Sequence, residues 1–345
     1  MDAAGDTLIS DNVTLQEMEH ALTIMSNWRS SHSYPLQVFY MNLRDRARIL
    51  APNSLVVQRL KRLTSLEEKL RRERLRPGGG MKLSRMHDIG GCRAVMLNVD
   101  QVDQLIEIYK EAREKSPHRG PEFVREYPYV ESPKEDGYRS VHLVYKYRTR
   151  GQKHKAYNGL RIEIQLRSRL QHFWATAVEA VDAFTGRAIK SGIIRDDWNR
   201  FFVLMGSVIA TKEARTNVPT APQDRDDLVR ELVEICQRLR IVDALRGMGA
   251  GIQHITEKTR KAKFFLVVLD LQQLRLRVRG YSGRQFRQAT QEYLQTEKSY
   301  RGRTDIQVVL VSAASLRSFR RSYRNYSAEI PEFLGEVSAA LVGSF

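Results

Sequence analysis

The chain has 345 residues, of which 42% are apolar and 28% charged, so it can bury a large core and is neither disordered nor fibrous. Its formal net charge of +17 indicates polyanionic partners such as nucleotides, RNA or an acidic protein. Two cysteines, Cys92 and Cys236, share no motif, which argues against a disulfide framework and favours a reducing compartment. The chain starts without a secretory pattern and has no bilayer-length apolar run, so we expect a cytoplasmic protein with no membrane partner.

In the first 128 residues, the pattern of apolar residues predicts helices followed by strands. Apolar residues recur at helical spacing between about residues 14 and 50, with a break near "SHSYPL". Residues 54–75 also predict a helix, strongly basic, and "RPGGG" predicts a loop. The continuous apolar run "CRAVMLNV" is typical of a central strand, "QVDQLIEIYKEAREK" predicts an amphipathic helix, and "EFVREYPYVE" predicts a strand.

Two later segments alternate apolar and polar residues with period two, the signature of half-buried strands. In "YRSVHLVYKY", Val141 and Leu143 lie on one face and His142 on the other. In "LRIEIQLR", the polar face carries Glu163 and Gln165, with arginines on either side of them. A helix through "LQHFWATAVEAVDAF" follows, so the order of elements predicts an α+β domain whose polar sheet face forms the floor of a site.

The C-terminal third predicts a second, smaller α/β domain. "RTNVPTAPQDR" contains two prolines and no periodicity, which is typical of a linker. A helical stretch, a hairpin ("KFFLVVLDLQQLRLRVRGYS"), a helix, the strand "IQVVLVS" and terminal helices follow. We therefore predict an N-terminal helical extension (1–50), a main domain (51–214), a linker (215–225) and an accessory, regulatory domain (226–345).

Several polar groups suit a site for nucleotides. Lys61 and Lys69 could neutralise a triphosphate, although a basic helix more often simply lies in water. Asp88 stands at the entrance to a buried strand, and together with Glu163 it would offer two carboxylates to one Mg²⁺. Tyr138 follows a tight turn and could stack on a base; the alternative is an ordinary turn with a packed tyrosine.

In order and spacing these segments resemble the synthetase domain of the RelA/SpoT family, the enzymes that make guanosine tetra- and pentaphosphate. Arg59-Leu60-Lys61 with "SLEEKL" is similar to the family's Arg-x-Lys-Ser segment, and "DIGGCR" to its Asp-Ile-x-Gly-x-Arg. "PKEDGYRSVHL" resembles the acceptor loop Pro-Lys-x-Asn-Gly-Tyr-x-Ser-x-His, with Asp136 in place of the usual Asn. "EIQLRS" and "QHFWA" resemble the closing strand and the helix after it, so the resemblance extends from about residue 55 to 190.

The resemblance implies a nucleotidyltransferase-like mixed β-sheet flanked by helices, with ATP, GDP or GTP, and Mg²⁺ as ligands. It implies two catalytic, Mg²⁺-binding carboxylates, Asp88 and Glu163. Glu163 would alternatively take the proton of the attacking hydroxyl, and Arg167 would keep it ionised. The residues implied to bind ATP are Arg59, Lys61, Lys69 and Arg93. Those implied to bind the acceptor are Lys134, Asp136, Tyr138, His142, Gln165 and Arg167.

We predict a pyrophosphokinase, the first of three functions that the sequence leaves open. The first transfers the β,γ-diphosphate of ATP to the 3′-hydroxyl of GDP or GTP. The second transfers it to the 3′ end of tRNA, as toxic small members of the family do, and the third is an inactive nucleotide- or RNA-binding module. Because Asp88 and Glu163 are expected at a polar sheet face, we expect Asp88→Asn and Glu163→Gln to abolish transfer with little change in stability. We expect truncation at the linker to leave some activity; the oligomeric state is not indicated.

Overall fold

A computed structural model describes residues 1–10, 12–61, 63–75, 80–115, 120–185, 193–248, 262–270, 275–300, 303, 306–312 and 326–345. These residues form two compact units, one made of 1–129 and 140–169 and the other of 130–139 and 170–345. Within the described ranges, every helix is too short or too polar to cross a membrane. Residues 76–79 of the predicted "RPGGG" loop lie outside the described residues.

The first unit is built on a five-stranded sheet flanked by helices. Its helices are α1 (Asp2–Leu8), α2 (Leu15–Ser31), α3 (Ser33–Leu50), α4 (Leu63–Arg74) and α5 (Val99–Lys115). Its strands are β1 (Leu55–Leu60), β2 (Gly90–Met96), β3 (Glu122–Pro128), β4 (Val141–Lys146) and β5 (Arg161–Ser168). The strand order is β1-β2-β5-β4-β3, with β2 and β5 parallel and the other pairs antiparallel, so the predicted α+β fold with a mixed sheet is confirmed.

One face of this sheet is apolar and is covered by α3 and α5. Ile162 and Ile164 of β5 are fully buried, and the ring of Tyr145 on β4 lies 6.0 Å from both Phe39 of α3 and Tyr109 of α5. The alternation predicted for both strands is therefore present. It directs Glu163, Gln165 and His142 to the opposite, polar face, because residues paired across neighbouring strands point to the same side.

The predicted helix at residues 54–75 is wrong in its first part. Leu55–Leu60 forms β1, an edge strand paired antiparallel with β2, and the helix α4 begins only at Leu63. The β-branched pair Val56-Val57 favours a strand at this place, and pairing with β2 overrides the weak helical periodicity. As a consequence, Arg59 lies on the sheet and Lys61 directly follows it, whereas Lys69 lies on a helix.

The second unit combines a helical core with a small sheet. Its helices are α6 (Arg169–Thr185), α7 (Ile193–Lys212), α8 (Arg225–Leu239), α9 (Phe286–Ser299) and α10 (Tyr326–Leu341). Its strands β6 (Phe264–Asp270), β7 (Arg275–Tyr281) and β8 (Ile306–Ser312) form an antiparallel sheet in the order β7-β6-β8. The turn of the predicted hairpin, residues 271–274, lies outside the described residues.

The apolar core of the second unit extends across the predicted linker. Val218 and Ala221 of the linker are buried in the same cluster as Trp174 of α6, Phe201 of α7 and Phe333 of α10. The compact unit therefore begins before residues 215–225, and two residues of this segment, Val218 and Ala221, belong to its core. The division into a main and an accessory domain at this linker remains a prediction.

Candidate active site

A carboxylate between two lysines stands at one end of the polar sheet face. Lys61 Nζ donates to Asp88 Oδ2 at 2.7 Å, and Lys69 Nζ donates to Asp88 Oδ1 at 2.9 Å. The backbone fixes this arrangement, because the Lys61 amide donates to the Ile89 carbonyl at 2.8 Å while Arg29 Nε donates to the Lys61 carbonyl at 2.6 Å. Two positive charges thus surround one negative charge, so the group as a whole attracts anions.

Asp88 is held in its ionised form. Burial alone would raise the pKa of its carboxyl, but the charges and hydrogen bonds of Lys61 and Lys69 outweigh burial and lower the pKa from 3.8 to about 2. The side chains of all three residues are about one-fifth exposed, so water screens the two ion pairs of Asp88 only in part.

Glu163 lies on the central strand β5 and is also held by two neighbours. His142 Nδ1 is 2.9 Å from Glu163 Oε1, and Gln165 Nε2 donates to Glu163 Oε2 at 2.6 Å. Arg93 Nε in turn donates to Gln165 Oε1 at 3.2 Å, so a continuous hydrogen-bonded chain runs from β2 across β5 to β4. Glu163, Arg93 and His142 are all less than 10% exposed.

The pKa of Glu163 lies below its ordinary value. Burial raises it, and the charge of Asp88 also raises it, but the hydrogen bond and charge of His142 and the hydrogen bond from Gln165 lower it by more. Arg167 was expected to keep Glu163 ionised; the structure assigns most of this effect to His142. The sequence predicted His142 on the correct face but could not indicate this pairing, because it joins residues on two strands.

The sheet register explains why these side chains share one floor. Gly91 of β2 pairs with Arg59 on one side and Glu163 on the other, and Arg93 pairs with Gln165. A Cβ atom at Gly91 would meet only the Glu163 carbonyl, at 3.6 Å, so the glycine leaves the space beside Glu163 open. The floor is therefore charged and hydrogen-bonded, with an opening at Gly91.

An aromatic group at the edge of the floor was missed by the sequence analysis. The Tyr127 and Tyr129 rings stack with centroids 5.7 Å apart, and Tyr129 meets His142 edge-on at 5.3 Å. Tyr127 Oη lies 3.4 Å from His87 Nδ1, and burial, followed by the charges of Arg161 and Lys69, lowers the pKa of His87. The sequence does contain a sign of this group, since Tyr127 and Tyr129 stand two residues apart at the end of β3. Tyrosines at that position are, however, equally typical of residues that simply pack against the sheet.

The predicted acceptor loop belongs to the second unit. Asp136 Oδ1 accepts the Tyr138 amide at 3.0 Å, the Gly137 amide donates to the Lys134 carbonyl at 2.9 Å, and Gly137 has φ +86°. Lys134 Nζ lies 4.9 Å from the centroid of the half-buried Tyr138 ring. Asp136 thus shapes the turn through an oxygen that Asn also has, so the departure from the family's Asn leaves the turn intact.

The polar face could hold a divalent metal only with help from a ligand. No group of three or more His, Cys, Asp or Glu side chains suited to a metal occurs in the described part of the chain. Asp88 and Glu163 are both ionised and near enough for the charge of one to raise the pKa of the other. Two such carboxylates suit Mg²⁺, which usually takes one or two carboxylates together with substrate phosphates.

The fold and floor define an α+β protein with an anion-attracting site that contains two ionised carboxylates. Comparison with known proteins is in agreement: residues 58–184 match the family model described as "Region found in RelA / SpoT proteins". The chain therefore contains a RelA/SpoT region, which confirms the resemblance seen in the sequence.

Individual relatives are alarmone synthetases or pyrophosphokinases. The GTP pyrophosphokinase YjbM of Bacillus subtilis (strain 168) is 33% identical over 129 residues, or 36% of this chain and 54% of the relative, so the chain spans about half of that protein. Small alarmone synthetase 1 from Bacillus subtilis aligns with a TM-score of 0.43 and 22% identity over 55% of this chain and 92% of its own. A GTP pyrophosphokinase family protein from Streptococcus pneumoniae aligns with a TM-score of 0.42 and 20% identity, over 59% of this chain and 91% of its own.

Proposed function

We propose that the protein is a pyrophosphokinase that transfers the β,γ-diphosphate of ATP to the 3′-hydroxyl of GDP or GTP. The observation that carries the proposal is the Asp88 carboxylate held between Lys61 and Lys69, on the same floor as an ionised Glu163. It is supported by the RelA/SpoT region and by relatives named as GTP pyrophosphokinase or as small alarmone synthetase bound to pppGpp. The buried free thiols Cys92 and Cys236 suit a cytoplasmic enzyme.

In this proposal the cations bind the donor. Lys61 and Lys69 turn from Asp88 to the triphosphate, and Arg59 and Arg93 add positive charge on the same face. Phosphoryl transfer depends mainly on positioning and on neutralising charge, which an excess of cations supplies. Asp88 and Glu163 would hold Mg²⁺, which when bound neutralises phosphate charge and orients the phosphates.

The lowered pKa of Glu163 favours one of its two possible roles. A general base works best when its pKa is near the working pH, and a carboxyl with a lowered pKa is a weak proton acceptor at pH 7. A carboxylate that stays ionised is, in contrast, a good metal ligand. We therefore assign Glu163 to holding Mg²⁺ and orienting His142. Tyr138 and Lys134 would bind the acceptor base and phosphates, with Gln165 and Arg167 on the floor.

The test is to incubate the purified protein with ATP labelled on the γ-phosphate and with GDP, GTP or deacylated tRNA, with Glu163→Gln as the inactive control. Label in a guanosine nucleotide, lost in the control, supports the proposal. Label in tRNA would replace it with the tRNA reaction. Nucleotide binding without transfer to any acceptor would replace it with a binding module.

A further inference from the structure

The acceptor loop is packed directly against a glycine of helix α7. A Cβ atom built on Gly206 would lie 2.8 Å from the Gly137 carbonyl oxygen and 3.0 Å from Gly137 Cα. In the other direction, a Cβ on Gly137 would lie 2.8 Å from the Phe202 carbonyl oxygen and 3.1 Å from Val203 Cα. The two backbones therefore touch, and they can do so only because neither residue has a side chain.

Gly206 is costly for the helix that contains it. A glycine inside a helix is less favourable than alanine by about 1 kcal/mol. Gly206 is well inside α7 (Ile193–Lys212), and it has no positive φ that would require a glycine. The glycine at 206 is therefore explained by the close approach of Gly137, for which a side chain would leave no room.

A buried arginine fixes the same loop at its ends. Arg139, 3% exposed, donates to the Val130 carbonyl at 2.8 Å and to the Gly206 carbonyl at 3.3 Å, and it also donates to the Thr216 carbonyl. One guanidinium therefore joins the start of the segment 130–139, the helix α7 and the chain beyond it. Burial lowers the pKa of Arg139 to about 10, so the group keeps its charge at neutral pH.

The tyrosine of the loop is held by the same helix. Trp174 Nε1 donates to the Phe202 carbonyl at 2.8 Å, the group that Gly137 approaches, and the Trp174 ring meets Tyr138 edge-on with centroids 6.3 Å apart. Thr220 Oγ1 donates to the Glu135 carbonyl at 3.3 Å. The place of Tyr138 is therefore set by α6, α7 and the segment that follows α7.

We propose that Gly206 and Arg139 are positioning residues that hold Tyr138 where it binds the acceptor, and that they thereby determine acceptor affinity. The inference rests on the proposed function, since it assigns these residues to the acceptor half of that reaction. In the proposed function, Lys61, Lys69 and Asp88 belong to the donor site. A change in the packing of the loop against α7 should therefore weaken acceptor binding and leave ATP binding unchanged.

The test uses the same substitution at two helical glycines of the second unit. Gly206→Ala must displace the loop backbone by several tenths of an ångström, whereas a Cβ at Gly335 in α10 has no neighbour within 4 Å. For Gly206→Ala we expect faster hydrogen exchange in peptides covering 130–139 and an acceptor KM raised about tenfold or more, equivalent to 1.4 kcal/mol, with the ATP KM unchanged. Gly335→Ala should match wild type in all three.

The outcomes separate the positioning role from the function. Loop exchange unchanged in Gly206→Ala, or equal rises in both KM values, would overturn the inference. If Gly206→Ala does not fold, Arg139→Lys, which keeps the charge but loses the planar fork of donors, must show the same exchange and KM pattern. If Gly206→Ala shows faster exchange in 130–139 but even the wild-type protein transfers to no acceptor, the contact between Gly206 and the loop is supported and the proposed function is overturned.

Discussion

Replacing Asp88 by asparagine should cost stability as well as activity, contrary to the expectation from sequence. The sequence placed Asp88 at an open polar face, whereas the structure shows a mostly buried carboxylate bonded to two ammonium groups. Its pKa falls from 3.8 to about 2, and at 1.36 kcal/mol per unit this corresponds to roughly 2 kcal/mol favouring the folded state at pH 7. Asp88→Asn removes this stabilisation and leaves two lysines facing each other.

The pH dependence has a definite sign. Because the folded pKa is depressed, the stabilisation is complete above the unfolded pKa of about 3.8 and disappears as the pH falls through about 2. The free-energy difference between wild type and Asp88→Asn should therefore be about 2 kcal/mol from pH 7 down to about pH 4 and shrink below that.

The assay should report on the first unit alone, because a chain with two compact units need not unfold in one step. Pulsed hydrogen exchange in increasing urea, read on peptides from α4 and β2, gives that transition. The control is Asp45→Asn, whose side chain is 63% exposed and paired with Arg44 only at the surface, so little change is expected. An Asp88→Asn transition within about 0.5 kcal/mol of wild type at pH 7 would refute the reasoning.

Three further predictions follow from single contacts. Glu163→Gln should lower transfer at least about a hundredfold, since it removes a charge that we propose to hold Mg²⁺. Turnover with saturating ATP and GDP measures this, and a smaller loss would contradict the assignment. Asp136→Asn should change the preference among GMP, GDP, GTP and deacylated tRNA by less than about threefold in a competition assay, because Asn Oδ1 can accept the Tyr138 amide equally well. Glu329→Ala should destabilise the second unit by about 3 kcal/mol in urea, because it leaves His172 and Thr176 without their buried partner. Glu332→Ala, at an exposed position of α10, should change this stability little.

Local pattern was sufficient to predict most of the first unit. The alternation in "RIEIQLRS" placed Glu163 and Gln165 on one face of a strand. The resemblance to the RelA/SpoT family implied that Asp88 shares a site with Lys61 and Lys69, which the structure brings into contact. The predictions from sequence failed where the structure depends on how strands pair with one another. Residues 55–60 have too little periodicity to separate strand from helix, and only their partner β2 makes them a strand. The link from His142 to Glu163 depends on register, which a single sequence does not contain.

In the C-terminal third, the predicted linker contributes buried residues to the core of the second unit. Prolines and a lack of periodicity in residues 215–225 resemble an exposed connector, but Val218 is fully buried and its amide donates to Ser207 Oγ at 3.1 Å. The core around it joins α7 to helices on the far side of the linker: the Phe201 and Phe333 rings meet edge-on with centroids 6.2 Å apart. A chain ending at the linker would lack α8 and α10, and α7 would lose the surfaces against which it packs. Because α7 also carries Gly206, the activity of a chain truncated at the linker tests the predicted boundary between the main and the accessory domain, which stays a prediction.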